Sequence, residues 1–81
     1  MRILKKGGDN MKIGEQAHFS HYSCDLCGKK NPFQLIDGRI RGGSWALMCA
    51  NCFEDYGVGL GTGKGQMYQR EDNGTYIKRG G

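Results

Sequence analysis

The feature that most constrains this chain is the placing of its four cysteines, Cys24-Asp25-Leu26-Cys27 and Cys49-Ala50-Asn51-Cys52, two Cys-x-x-Cys pairs separated by residues 28 to 48. Each pair puts two thiols on one turn, and a gap of this length lets the chain fold back so that the pairs meet at one point. Two residues between thiols allow backbone N–H groups to turn toward both sulfurs. Gly28, directly after the first pair, accepts the backbone angles that such a knuckle requires. Four thiolates fill a tetrahedron, so the pattern reads as one structural Zn2+ held by Cys24, Cys27, Cys49 and Cys52, with no open position for catalysis. A rubredoxin-type iron or an iron–sulfur centre draws on the same ligand set. His18 and His21 precede the knuckle and read as residues outside the coordination sphere, because four thiols suffice.

Composition explains why a metal is needed. A chain of 81 residues makes one small domain, and with 15 glycines and 37% hydrophobic residues its supply of core material is thin. Structural zinc is worth on the order of 10–16 kcal/mol in small finger peptides, so folding and metal loading are expected to be one event. No secretory signal opens the sequence and no apolar run reaches membrane-spanning length. The expected setting is a reducing cytosol, where paired cysteines hold metal rather than form disulfides. The formal charge of +4 counts the thiols as neutral. Four thiolates and one dication reduce it to +2, a mild balance that gives a polyanionic partner only modest support.

The reading along the chain is a small metal-stabilised α+β domain. Residues 1–20 form a polar leader, in which Arg2-Ile3-Leu4 and Met11-Lys12-Ile13 flank Gly7-Gly8-Asp9-Asn10 as either a small hairpin or a frayed tail. A single zinc-binding domain spans 21–81. Its finger core, 22–57, begins with the knuckle. A hairpin follows, made from the strand formers of Phe33–Arg41 and Ser44–Met48, with its turn expected near Arg41-Gly42-Gly43 rather than at Asp37-Gly38, so that Trp45 and Leu47 share a face. Cys52 is expected in the first turn of a short helix that stops at Gly57. Knuckle, hairpin and helix in that order describe a treble-clef zinc finger. A zinc ribbon, with the second pair on another knuckle, is the alternative. A glycine-rich segment, 57–65, then leads to a C-terminal hairpin, 66–79, that turns at Asn73-Gly74 with type I′ geometry.

The alternating glycines invite a phosphate-loop reading, which the spacing refuses. Val58 stands where the Walker pattern needs its first glycine, Gly65 follows Lys64 in place of Ser or Thr, and no G-x-G-x-x-G fits. The glycines read instead as a loop after the helix or as backbone that approaches another surface closely. No enzyme is expected: Glu54 and Asp55 are neighbours on a short helix and point to different faces, and no nucleophile–base pair emerges. The exposed chemistry lies in the basic residues. Lys29, Lys30, Arg39, Arg41 and Lys64 are the candidates for contact with phosphates or with a protein partner, and Phe33, Trp45 and Tyr56 lie near them as rings able to stack on bases or to pack into a mini-core.

Trp45, Met48-Cys49, Cys52-Phe53 and the run Tyr56-Gly57-Val58-Gly59-Leu60-Gly61-Thr62-Gly63-Lys64-Gly65-Gln66 together resemble a group of short, mostly uncharacterised zinc-finger proteins of bacteriophages and bacteria. The resemblance covers residues 22 to 68. It implies a small accessory protein with a treble-clef or ribbon-like finger and implies no reaction. Two functions follow as expectations. One is a non-enzymatic zinc module that contacts nucleic acid or the transcription apparatus. The other is a protein–protein adaptor or inhibitor of a host protein, docking by strand addition along the glycine segment or a hairpin edge. Neither involves a membrane or a small-molecule substrate.

Overall fold

Strand formers on both sides of Arg41-Gly42-Gly43 pair as the spacing predicts. In the computed structural model, which describes residues 12–81, β1 (Gln34–Arg39) and β2 (Trp45–Cys49) run antiparallel with Arg39 opposite Trp45 and Leu35 opposite Cys49. The turn between them is the wider of the two expected. Gly42 and Gly43 both have positive φ, and the Ile40 N–H donates to the Ser44 carbonyl at 2.8 Å. Helix α1 (Ala50–Tyr56) starts directly from β2, with Cys49 as its N-cap and Cys52 in its first turn. Gly57 ends it as expected, with its backbone extended (φ −76°, ψ 162°). Glycine is needed there for space, because a Cβ would lie 2.4 Å from the Phe53 ring.

The C-terminal hairpin is not a separate unit. Its strands β3 (Gly65–Arg70) and β4 (Tyr76–Gly80) join the finger hairpin in one four-stranded antiparallel sheet of order β2-β1-β3-β4. Between α1 and β3 the glycine run closes a tight turn in which Gly61 and Gly65 exchange backbone hydrogen bonds at 2.8 and 3.0 Å. Its close approach is internal. A Cβ on Gly65 would meet the Gly59 carbonyl at 2.8 Å, and one on Gly38 would meet the Lys64 carbonyl at 3.1 Å, so the backbones of β1 and β3 pack where side chains have no room. The β3–β4 turn carries the expected residues in another geometry. Glu71 and Thr75 close a three-residue loop over Asp72-Asn73-Gly74, with Gly74 at φ 90° and Asn73 outside the left-handed region. Asn73 Oδ1 accepts both the Thr75 N–H and its hydroxyl, a local bond that favours this loop over a two-residue type I′ turn.

The sheet is covered on both faces. Ile36, Ala46 and Met48 face α1 and the cysteines, whereas Leu35, Leu47, Tyr68 and Tyr76 face Ala17, Phe19 and Tyr22. Ala17 and Phe19 of that second layer come from the stretch read as leader, and Tyr22 follows just after it. Residues 14–17 lie along the outer edge of β4, the Ala17 N–H donating to the Tyr76 carbonyl and the Lys78 N–H to that of Glu15. Tyr22 stacks on Tyr76 with ring centroids 5.0 Å apart, and Phe19 meets Tyr68 edge-on at 5.1 Å. The first arm and the turn of the hairpin expected around Gly7-Gly8 lie outside the described residues.

Candidate metal centre

Two pieces of local structure deliver the four sulfurs. The knuckle is closed by the Gly28 N–H on the Cys24 carbonyl at 2.9 Å and by the Cys24 N–H on the Lys29 carbonyl at 2.8 Å, with Gly28 at φ 82°. Across from it, the junction of β2 and α1 holds Cys49 and Cys52 one helical turn apart. The knuckle is fixed to β2 by Asp25. Its N–H donates to the Leu47 carbonyl at 2.7 Å, and its Oδ2 accepts the Leu47 N–H at 2.9 Å. His21 Nε2 holds the other carboxylate oxygen at 3.0 Å. His21 therefore orients the residue that follows Cys24 and stays outside the sulfur cluster.

All four Sγ atoms lie within 4.8 Å of one another, and Cys27 Sγ is 3.8 Å from Cys49 Sγ. Four thiolates placed about 2.3 Å from a tetrahedral zinc are separated by about 3.8 Å, whereas a disulfide needs about 2 Å. The cysteines are free thiols, and Cys24, Cys49 and Cys52 are buried with Cys27 at the surface. The donor set thus matches one soft, tetrahedrally coordinated ion.

The electrostatics point the same way. Burial acts to raise the Cys24 thiol, but backbone N–H groups of Cys49, Cys27 and Leu26 aimed at its sulfur outweigh this and bring it down to about 7. Burial, reinforced by the neighbouring sulfurs, pushes the Cys52 thiol far up. At Cys27 the Lys29 backbone N–H favours the thiolate, yet the Cys24 sulfur, burial and the Cys49 sulfur together leave the thiol raised. Four negative charges gathered this closely repel one another, and a divalent cation at their centre removes that penalty.

The basic candidates divide into two groups. Lys29 and Lys30 leave the knuckle beside the start of β1 and α1. Arg39, Arg41 and Lys64 gather at the far end of β1, a strand of six residues that spans roughly 17 Å. Arg39 and Lys64 are joined by a backbone hydrogen bond of 2.8 Å, while the Arg41 guanidinium donates to the Asp55 carbonyl at the end of α1. All five are exposed, and among the described residues none is ion-paired to a carboxylate. Other cations are committed: Arg79 pairs with Glu71, Arg70 donates to the Asn31 carbonyl, and Lys78 is buried. Of the three rings expected near the charges, Phe33 and Tyr56 are exposed and Trp45 is half-buried. Sequence reasoning overlooked Asp25 as a supporting residue. Its one local signal was a histidine four residues earlier.

These features define a small α+β domain with a four-strand antiparallel sheet, one short helix and a site formed by four clustered cysteines able to hold a metal ion. Compared with family models, with curated proteins and with solved structures, the chain matches none. No helix among the described residues is long and apolar enough to cross a membrane.

Proposed function

We propose that Cys24, Cys27, Cys49 and Cys52 hold one structural Zn2+ and that the domain is a treble-clef finger acting as a non-enzymatic nucleic-acid-binding module. The order of knuckle, β1–β2 hairpin and α1 supports the treble clef over a zinc ribbon, since the second cysteine pair opens a helix instead of lying on another knuckle. A closed thiolate tetrahedron leaves no coordination position for substrate, which supports a binding role.

The observation that carries the nucleic-acid reading is the set of exposed cations with no carboxylate partner among the described residues, Lys29, Lys30, Arg39, Arg41 and Lys64, of which only the Arg41 guanidinium is engaged by the fold, through the Asp55 carbonyl. Phosphates neutralise such charges and release their counterions on binding. Docking by strand addition, the adaptor reading, has less support. β4 is paired along its outer edge by residues 14–17, and β2 is occupied at Leu47 by Asp25. The test is a polarisation titration of the zinc-loaded protein with a labelled oligonucleotide over a salt series. Log affinity is expected to fall linearly with log salt, at about −0.7 per phosphate neutralised on a single strand, so a slope of roughly −2 to −4. No binding at low salt would refute the reading.

A further inference from the structure

Between the exit of the knuckle and the start of α1 lies an open groove of about 160 Å³ lined by Lys29, Pro32, Phe33, Gln34, Ala50 and Asn51 together with Cys49. Pockets for whole cofactors and drug-sized ligands run from about 300 Å³ upward, so this space suits a single flat ring. Its residues carry the chemistry of base recognition. Phe33 is 55% exposed, which leaves much of a large apolar residue in contact with water. The ring is nevertheless held on firm backbone. The Phe33 carbonyl accepts the Arg70 N–H at 2.8 Å, and the carbonyl of buried Pro32 accepts the Tyr76 hydroxyl. The backbone that carries the ring is thus already ordered before anything stacks on it.

The polar groups around the ring fit the same occupant. Gln34 and Asn51 each offer an amide donor and acceptor, the combination that base edges present, and among the described residues neither side chain has a protein partner. Lys29 lines the groove and Lys30 follows it, both exposed, to meet the phosphate of the same nucleotide. No carboxylate lines the groove. A base within a duplex keeps its faces in the stack and cannot enter, whereas an unpaired base can. Building on the nucleic-acid reading above, we propose that this groove seats one unpaired nucleobase of a single-stranded nucleic acid, stacked on Phe33 and flanked by the amides of Gln34 and Asn51.

The experiment compares three labelled probes in polarisation titrations with the full-length zinc-loaded protein: an oligothymidylate, an abasic strand of equal length, and a duplex. The oligothymidylate is expected to bind roughly tenfold more tightly than the abasic strand, the range that stacking of one base supplies. Phe33→Ala should remove that difference and leave abasic-strand affinity and the salt slope unchanged, while Phe33→Trp should keep it. Phe33 is exposed, so truncation is expected to preserve the fold, which zinc content and the amide spectrum verify. Equal affinity for base-bearing and abasic strands, or an unchanged preference in Phe33→Ala, overturns the base seat while the phosphate-contact reading survives. Absence of binding to all three probes at low salt overturns both.

Discussion

Asp25 illustrates how much of the cysteine cluster rests on a residue outside it. Its carboxylate joins three parts of the chain: the knuckle that carries it, the edge of β2 at Leu47, and His21. Replacing it by alanine leaves the Leu47 N–H without its acceptor, so Asp25→Ala is expected to cost about 1–3 kcal/mol, read from urea unfolding of the zinc-loaded protein. A second residue-scale prediction concerns alkali. Burial holds the Tyr76 phenol above its ordinary value of 10, although nearby Arg70 pulls the other way. The neutral form is thus favoured by folding. Its contribution is complete below pH 10 and is lost as pH rises through the raised value, so stability should fall in that window, and more shallowly in Tyr76→Phe. The four clustered cysteines were legible from spacing because each Cys-x-x-Cys pair is a local object, one on a knuckle and one at the start of a helix. Asp25 was not, since its value depends on a strand more than twenty residues away.

Among the elements, β1 explains why its strand pattern was hard to read. Leu35, Ile36, Asp37 and Gly38 are consecutive buried residues because the sheet is covered on both faces, and a doubly covered strand loses the alternation that marks a half-exposed one. The short helix and both hairpins remained visible through their punctuation at Gly42-Gly43, Gly57 and Asn73-Gly74. The details of that punctuation were not, because Gly57 answers to the Phe53 ring and the Asn73 loop to Thr75. Two glycines are therefore sensitive for reasons of space. Gly57→Ala and Gly65→Ala, whose new methyls would lie 2.4 and 2.8 Å from existing atoms, are each expected to lower stability by about 1–3 kcal/mol in denaturant titrations.

For the molecule as a whole, the two cores meet across one sheet, and among the described residues the cysteine side has Ile36, Ala46 and Met48 besides cysteine as fully buried apolar residues, with Leu26, Ile40, Phe53 and Met67 partly buried against them. Packing of that size does not hold a repulsive thiolate cluster together. Stripping zinc with a chelator is expected to abolish the cooperative melt and the dispersion of the amide spectrum, and readdition of one equivalent to restore both. The aromatic side, Phe19, Tyr22, Tyr68 and Tyr76, escaped sequence reading because Phe19 lies in the stretch read as polar leader and Tyr22 just after it. Only the tertiary fold brings those rings to the sheet. The strip formed by residues 14–17 also acts as a guard rail along β4. A chain begun at Tyr22 would leave that strand's outward amides and carbonyls bare, an invitation to pair with another molecule, so such a truncation should self-associate in sedimentation experiments where the intact protein remains monodisperse.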